Sequence, residues 1–211
     1  MNTCLIIGAA PCAEPNYLKE LQKKADFIIC ADGGLDTAVR AGITPDLWVG
    51  DGDSFLGENQ CKDKRVFPKE KDDTDLYCAA RCAMKKGCKT VYIGAATGGR
   101  GDHFLANLLL LEFLFEQGVS AEVVDEQNRY LFHPGGRMDY LRDFAYSYVS
   151  LIPLDAVLED VTMGGVKYPL TKTRLTRNHI ISVSNEPIDE MFSIEIGTGR
   201  ALVVFSRDVK K

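Results

Sequence analysis

Residues 3–124 alternate between short apolar runs and segments with helical periodicity, and this alternation restricts the chain to few folds. One such segment carries Leu35, Ala38 and Val39 on a single helical face. The apolar runs are residues 4–7, 27–31, 47–49, 65–67, 90–93 and 121–124. Strands that alternate with helices form parallel sheets with helices on both faces. The sequence therefore predicts an α/β fold with an open, mostly parallel sheet flanked by helices.

After Asp125 the helical pattern gives way to short β segments. Phe192, Ile194 and Ile196 alternate with polar residues, which is typical of a strand with one solvent-exposed face. Further strands are predicted at residues 130–132, 146–152, 161–163, 166–168, 180–184 and 201–205, with a turn at 135–136. We therefore expect two domains, an α/β domain at residues 1–130 and a small all-β sandwich domain at residues 131–211.

Composition excludes several classes of partner. The 25 Lys and Arg are outnumbered by 30 Asp and Glu, and no basic cluster stands out, which argues against nucleic-acid binding. The longest apolar stretch, 104–115, predicts a helix buried on several sides, and it is too short to cross a bilayer. The N-terminus lacks the features of a signal peptide, and seven cysteines without a CxxC pair fit a reducing compartment. We expect a cytoplasmic protein with no membrane partner.

Aspartates follow four consecutive predicted strands. They are Asp32 after the second run, Asp51 and Asp53 after the third, Asp72, Asp73 and Asp75 after the fourth, and Asp102 after the fifth. Ligands of open parallel sheets bind beyond the carboxyl ends of the strands, so we expect these side chains to converge. Carboxylates on glycine-rich turns are hard oxygen ligands suited to Mg²⁺ or Mn²⁺. A solvated turn would explain the aspartates after any one strand, but aspartates after four consecutive strands favour a metal site.

The segment Gly94 to His103 has the features of an anion-binding loop. Small residues precede a helix start, where backbone N–H groups can bind phosphate oxygens and Arg100 can bind the same oxygens bidentately. The segment is not a Walker loop, because the Gly-Lys-Ser/Thr ending is missing. Gly8-Ala9-Ala10 is a shorter segment of the same kind and lacks the spacing of a dinucleotide-binding fingerprint.

Five motifs in series carry a family resemblance. They are Ala31-Asp-Gly-Gly34, Gly50-Asp-Gly-Asp-Ser54, Lys71-Asp-Asp-Thr-Asp75, Gly98-Gly-Arg-Gly-Asp-His103, and Gly165-Val-Lys-Tyr-Pro-Leu170 with Val183-Ser-Asn-Glu186. In this order and spacing they resemble the thiamine pyrophosphokinase family over essentially the whole chain. Gly52 departs from the pattern, because the family usually has a larger residue between the two aspartates. The resemblance implies an N-terminal catalytic domain that binds ATP and metal, a C-terminal β-sandwich for thiamine binding and dimerisation, and a homodimer.

The resemblance also implies a reaction and roles for individual residues. The diphosphate of ATP passes to the hydroxyethyl group of thiamine, giving thiamine diphosphate and AMP, with Mg²⁺ required. The implied metal ligands are Asp51, Asp53, Asp75 and Asp102. The implied catalytic residues are Asp53, Asp75, Arg100 and Asp102, and either Asp53 or Asp75 accepts the hydroxyl proton. The implied nucleotide contacts are Asp32, Gly33, Gly98, Gly99, Arg100 and His103, and the implied substrate contacts are Asp72, Tyr168, Ser184 and Asn185.

Alternative functions and structural roles stay open at this point. Within the same fold, diphosphate transfer to a pterin-type alcohol is one alternative, hydrolysis of nucleotides by a metal-bound water is a second, and a non-catalytic nucleotide sensor is a third. Trp48 lies inside an apolar run and is expected in the core. His133 and His179 lie in β segments and are expected to be structural, and His103 has helix capping as its alternative role.

Overall fold

The computed structural model describes residues 2–51, 61, 63–68, 70 and 72–209. The chain divides into two compact units, Met1–Glu126 and Gln127–Lys211, which we name the N-terminal and C-terminal units. The division lies close to the boundary near residue 130 that the sequence suggests.

The N-terminal unit is built on a parallel sheet. Its described strands are β1 (Thr3–Ile7), β2 (Phe27–Ala31), β3 (Leu47–Gly50), β4 (Asp63–Val66), β5 (Thr90–Gly94) and β6 (Ser120–Val124), in the order β4-β3-β2-β1-β5-β6. Every neighbouring pair among them is parallel. Strand β2 is buried along its whole length, because helices cover both faces of such a sheet. The predicted α/β class is confirmed.

Helices of the N-terminal unit connect these strands. They are α1 (Asn16–Gln22), α2 (Gly34–Arg40), α3 (Asp75–Lys85) and α4 (Gly101–Glu116). Helix α3 starts after Thr74, whose hydroxyl accepts a hydrogen bond from the Tyr77 amide at 3.2 Å and so caps the first turn. No helix in the described part of the chain is long and apolar enough to span a membrane.

Helix α4 is less buried than its composition predicts. Leu108, Leu111 and Leu114 are buried, and the helix packs against β6 and α3. Leu105 and Leu109, on another face, are 62% and 53% exposed. The expectation of burial on several sides was therefore wrong for this face. The cause is that composition counts apolar residues but does not say how many neighbours surround a helix.

Strand order reverses between β1 and β5, and this reversal locates the site. Strands β2, β3 and β4 extend from one side of β1, whereas β5 and β6 lie on the other side. The segments that leave the carboxyl ends of β1 and β5 therefore run side by side. Two backbone hydrogen bonds join them, from Gly8 N to Gly94 O at 2.8 Å and from Ala10 N to Ala95 O at 2.9 Å. Ligands of open α/β sheets bind at such a reversal.

The C-terminal unit is antiparallel and all-β. Its described strands are β7 (Asn128–His133), β8 (Gly136–Leu141), β9 (Tyr148–Pro153), β10 (Val157–Gly164), β11 (Leu170–Thr176), β12 (Met191–Ile196) and β13 (Ala201–Ser206). They pair in the orders β7-β13-β9 and β11-β10-β12-β8. Apolar side chains from both sets, among them Val203, Phe205, Leu158 and Phe192, share one buried core. The predicted all-β class of this region is confirmed.

Four segments of the C-terminal unit differ from the prediction. Residues 166–168 and 180–184 are not strands, although Val166 forms an isolated bridge to Pro187. The second segment is held to β9 by individual bonds instead of a regular ladder. Leu151 N donates to Ser182 O at 2.9 Å, Ser182 Oγ donates to Leu151 O at 2.6 Å, and Ser184 N donates to Ser150 Oγ at 3.0 Å. Strands β8 and β11 were not predicted. Both lie at sheet edges with mostly exposed or half-buried side chains, so they lack the apolar alternation on which the prediction relied.

A glycine pair at the start of α2 provides a test of this packing. A Cβ atom on Gly34 would lie 2.1 Å from Ile7 O, a backbone atom at the end of β1. A Cβ atom on Gly33 would meet nothing closer than Ala9 Cβ, at 3.5 Å. Gly34→Ala is therefore expected to lower the free energy of unfolding by about 2–3 kcal/mol, because core overpacking typically costs about that much. Gly33→Ala is expected to cost less than about 1 kcal/mol. Urea denaturation measures both, and equal losses would contradict the close approach of α2 to β1.

Candidate active site

A cleft of about 560 Å³ lies in the N-terminal unit where the β1 and β5 segments meet. Its lining residues lie at or after the ends of β1, β2 and β5, or near the starts of α3 and α4. They are Gly8, Ala9, Ala10, Pro11, Ala31, Asp32, Thr74, Asp75, Leu76, Ala96, Gly98, Gly99, Arg100, His103 and Asn107. We name this feature the N-terminal cleft. Its volume is within the usual range for small-molecule sites.

Two glycines shape one wall of the N-terminal cleft. Gly98 and Gly99 have φ values of +77° and +65°, a region that residues with a side chain rarely adopt. A Cβ atom on Gly99 would lie 2.7 Å from Pro11 Cδ, so the two loops are in close contact there. Helix α4 begins directly after Arg100, and the first backbone N–H groups of a helix have no backbone carbonyl partner within it. Such an arrangement is suited to binding phosphate oxygens.

Most of the expected nucleotide contacts lie in this cleft. Asp32, Gly98, Gly99, Arg100 and His103 line it, whereas Gly33 is not among its lining residues. Asp75, an expected metal ligand, lines it from the first turn of α3. Of the predicted residues that line the cleft, Asp32 follows β2 and Asp75 follows β4, whereas the other four follow β5.

The main chain of Asp32 is held tightly at the edge of the cleft. Asp32 has a φ of +50°, its amide donates to Val49 O at 2.7 Å, and its carbonyl accepts from Trp48 Nε1 at 2.9 Å. Trp48 is 2% exposed, which confirms its expected place in the core. The Oδ1 atom of Asp32 is buried and accepts no hydrogen bond from the described residues. A buried carboxylate oxygen without a donor is costly, so this atom is suited to a bound cation.

Arg100 and Asp102 pair with each other at the start of α4. Arg100 Nη2 and Nε donate to Asp102 Oδ2 and Oδ1 at 2.6 and 3.1 Å. Hydrogen bonds from Arg100 and from the His103 amide lower the pKa of Asp102 to about 2. Both side chains are mostly exposed, so the pair has little effect on stability. A phosphate that binds Arg100 would compete with this carboxylate.

Donor chemistry at the cleft fits a divalent cation, although only part of the expected ligand set is described. Asp32 and Asp75 contribute hard oxygen atoms of the type that Mg²⁺ prefers. Asp51 is half-buried directly after β3 and is not a lining residue of the cleft. Asp53 lies outside the described residues. Within the described residues, no group of three or more His, Cys, Asp or Glu is arranged to hold a metal ion.

A smaller groove of about 320 Å³ lies between the start of α3 and the side of α4. Asp72 and Asp73 line it together with Tyr77 and Phe113, whose ring centroids are 4.7 Å apart. Asp72 is exposed, and Asp73 pairs with Arg81 Nη1 at 3.3 Å. Asp72, the expected substrate contact, is thus placed beside the N-terminal cleft and not among its lining residues.

The other expected substrate residues belong to the C-terminal unit. The Asn185 amide is buried and holds two backbone segments: Oδ1 accepts from the amides of Tyr168 and Glu186 at 3.0 Å each, and Nδ2 donates to Tyr168 O at 2.8 Å. Tyr168 is 59% exposed, with the Lys167 ammonium 5.5 Å from its ring centroid. Ser184 is exposed, with a φ of +57°. Asn185 therefore positions Tyr168, and direct contact of the three residues with a substrate stays a prediction.

Sequence reasoning missed two polar residues of the N-terminal cleft. Thr74 lines it and caps α3. Asn107 is buried, lines it, and donates from Nδ2 to Ala96 O at 2.8 Å. A signal for Asn107 was present, because it is an amide within an otherwise apolar helical stretch. Buried polar groups of this kind require a partner, so a single amide at such a position indicates a specific bond.

Comparison with known proteins gives consistent matches over both units. The family model "Thiamin pyrophosphokinase, catalytic domain" matches residues 18–123, and the model "Thiamin pyrophosphokinase, vitamin B1 binding domain" matches residues 137–203. The thiamine pyrophosphokinase of Bacillus subtilis (strain 168) is 30% identical over 217 residues, covering 99% of this chain and 100% of the relative.

Solved structures give the same match. The crystal structure of thiamine pyrophosphokinase from Bacillus subtilis has a TM-score of 0.84 and 28% identity, covering 99% of this chain and 100% of that one. The crystal structure of the Geobacillus thermodenitrificans thiamin pyrophosphokinase also has a TM-score of 0.84 and 28% identity, covering 99% of each chain.

The Arg100–Asp102 pair predicts an unusual titration. Without ligand, the Asp102 carboxyl is expected to titrate near pH 2, since both of its donors favour the ionised form. Arg100→Ala is expected to raise this pKa toward the ordinary value of about 3.9 but not to reach it, because the His103 amide still donates. Carboxyl ¹³C NMR measures the titration. Arg137→Ala, which breaks the exposed Arg137–Asp139 pair of the C-terminal unit, serves as the control. An Asp102 pKa that is unchanged in Arg100→Ala would rule out the pairing.

Proposed function

The chain belongs to the thiamine pyrophosphokinase family, and from this premise we propose that it transfers the terminal diphosphate of ATP to the hydroxyethyl oxygen of thiamine, releasing AMP. It is a diphosphotransferase. The observation that carries the proposal is that the catalytic-domain match contains most of the lining of the N-terminal cleft, while the B1-binding match falls in the other unit.

The N-terminal cleft is the proposed site of ATP. Backbone N–H groups at the start of α4 and the Arg100 guanidinium bind the phosphate oxygens, because both are donors that an anion requires. Gly99 lies close to Pro11 and has no side chain, which supports a close approach of the phosphates to the backbone at this position. His103 lines the cleft from the first turn of α4, which supports a contact with the same ligand.

We propose Mg²⁺ as the metal, with Mn²⁺ as a substitute. The candidate ligands are Asp51, Asp53, Asp75 and Asp102, to which we add Asp32 because of its buried Oδ1 atom. When bound, the cation offsets the negative charge that develops on the oxygen between the α and β phosphates as AMP leaves. The carboxylates of the chain would hold the cation in place, while Arg100 orients the phosphates.

A carboxylate accepts the proton of the thiamine hydroxyl as the new bond to the β phosphorus forms. Asp75 is supported by its position in the cleft, at the first turn of α3. Asp53 is the alternative and lies outside the described residues. Proton acceptance requires hydrogen-bond distance to the attacking hydroxyl, so the choice depends on the pose of thiamine.

Thiamine binding is proposed for the C-terminal unit. The exposed Tyr168 ring offers a face to the cationic thiazolium, since cations are attracted to aromatic faces. Ser184, which is exposed, offers a hydroxyl, and Asn185 holds the Tyr168 backbone in place. Asp72, which belongs to the N-terminal unit, stays a predicted substrate contact through its negative charge.

A homodimer in the cytoplasm is the proposed state of the protein. The family resemblance implies a dimer, and exposed Leu141 and Phe144 in the C-terminal unit, at 74% and 78%, support a surface that is buried in solution. Light scattering of the purified protein tests the dimer.

None of the seven cysteines, all within the described residues, forms a disulfide, which supports a reducing compartment.

The reaction is tested by measuring AMP and thiamine diphosphate formed from ATP, Mg²⁺ and thiamine. AMP formation is expected to depend on thiamine and to match thiamine diphosphate mole for mole. Asp32→Asn, which keeps the shape of the side chain and tolerates a positive φ, is expected to lower kcat/KM by about 100-fold and to raise the Mg²⁺ requirement. Asp36→Asn, a charge removed from the exposed side of α2, is the control and is expected to keep wild-type rates.

Other outcomes of this assay identify the alternatives. AMP or ADP released without thiamine would indicate a nucleotide hydrolase, and AMP that depends on a pterin alcohol would indicate the other acceptor. ATP binding without any product would indicate a sensor. Any of these results would overturn the proposed function.

Tyr168 provides a separate test of thiamine binding. Tyr168→Ala removes the ring and is expected to raise the KM for thiamine by about tenfold, since such cation–aromatic contacts contribute about 1–2 kcal/mol when partly desolvated. The KM for ATP should not change. Tyr168→Phe keeps the ring and is expected to retain the wild-type KM within about twofold. An unchanged KM for thiamine in Tyr168→Ala would remove Tyr168 from the substrate site.

A further inference from the structure

Three side chains hold three consecutive residues of the loop between β5 and α4. Tyr17 Oη accepts a hydrogen bond from Ala95 N at 2.8 Å, and Asn107 Nδ2 donates to Ala96 O at 2.8 Å. Thr97 Oγ1 donates to Asp125 Oδ2, also at 2.8 Å. Tyr17 lies on α1, Asn107 on α4, and Asp125 directly after β6. Three separate elements therefore converge on residues 95–97, immediately before Gly98, Gly99 and Arg100 of the cleft wall.

Ala95 is the central residue of this arrangement. It has a φ of +50°, a conformation that is unfavourable for a residue with a Cβ atom and persists only where surrounding contacts enforce it. Its amide is held by Tyr17, and its carbonyl accepts the Ala10 amide at 2.9 Å. Ala95 thus links both loops of the N-terminal cleft, the one after β1 and the one after β5.

The Tyr17 hydroxyl accepts hydrogen bonds from the Ala95 amide at 2.8 Å and from Cys12 Sγ at 3.9 Å. Burial raises the pKa of Tyr17 above its ordinary value, so the hydroxyl keeps its proton at neutral pH. Tyr17 does not line the N-terminal cleft, and neither does Thr97. Their effect on a bound ligand must therefore pass through the backbone of residues 95–97. Asn107 differs, because it lines the cleft itself.

We propose that Tyr17, Asn107 and the Thr97–Asp125 bond form a loop anchor that presets residues 98–100 for binding the phosphates of the nucleotide. Tyr17 and Thr97 are positioning residues in this scheme. A loop held in its binding geometry loses less conformational entropy when phosphate arrives, so the anchor increases affinity without touching the ligand. The choice of nucleotide as ligand rests on the proposed function.

The kinetic test uses two variants that remove one hydroxyl each. Tyr17→Phe and Thr97→Val are expected to raise the KM for ATP, and the Kd for Mg²⁺–ATP measured by calorimetry, by about five- to tenfold, which is the effect of losing one buried hydrogen bond. The kcat and the KM for thiamine should stay within about twofold, because a nucleotide that has bound restores the loop. Thr97→Ser keeps the hydroxyl and is expected to restore wild-type values. Tyr148→Phe, which removes a hydroxyl bonded to Asp208 Oδ2 at 3.2 Å in the C-terminal unit, should change nothing.

Amide hydrogen exchange without ligand provides a readout that does not depend on activity. In Tyr17→Phe and Thr97→Val, peptides covering residues 95–101 are expected to exchange about tenfold faster than in the wild type, whereas peptides from β1 and from the C-terminal unit should be unchanged. If the wild type forms no thiamine-dependent AMP, the proposed function fails, and exchange together with ATP calorimetry still tests the anchor.

Two results would overturn the loop anchor. Wild-type ATP affinity together with wild-type exchange at residues 95–101 in both variants would show that the loop does not need these bonds. A fall in kcat, in affinity for both substrates and in melting temperature together would show a general structural role instead of positioning.

Discussion

The functional edge of the N-terminal unit depends on the reversal of strand order between β1 and β5. Because the connections leave in opposite directions there, the segments after the two strands lie next to each other, and backbone hydrogen bonds from Gly8 and Ala10 continue the pairing beyond the sheet. The contact tolerates only small residues, since a Cβ atom on Gly8 would lie 2.6 Å from Ala95 O. The shape of the cleft is therefore determined by backbone contacts between the two loops, and its side chains project from this backbone.

Two opposite electrostatic features share this wall. The start of α4 and Arg100 favour anions, whereas the buried oxygen of Asp32 favours a cation. A nucleotide that carries a divalent cation satisfies both, because each charge of the ligand meets its opposite. This accounts for the use of an anionic co-substrate by a chain whose formal net charge is −5. Dipoles and side chains that contact the ligand decide its binding, because salt screens the more distant charges of the chain.

Apolar runs predicted β1, β2, β3 and β5 of the N-terminal unit well, because a strand buried on both faces is apolar along its length. Strand β4 is exposed along its length and begins at Asp63, two residues before the predicted run 65–67. The same reasoning failed where burial is one-sided or partial. It missed the edge strands β8 and β11, it assigned a strand to residues 180–184, and it overestimated the burial of Leu105 and Leu109 on α4. At the site, glycine and aspartate motifs identified Asp32, Asp75, Gly98 and Gly99 as members of one cleft. Tyr17 and Thr97 were not found, because they act through hydrogen bonds to residues that are distant in sequence or to the backbone.

The sequence by itself determined the classes of the two units, the family, and the glycine and carboxylate residues that follow the strands. These properties are local, since they depend on periodicity, on turn chemistry and on the order of short motifs. Only the tertiary structure decided which strand ends meet and that Ala95 is held by a tyrosine 78 residues away. Strand order and hydrogen bonds between separate elements follow from how the whole unit packs, and no local pattern encodes them.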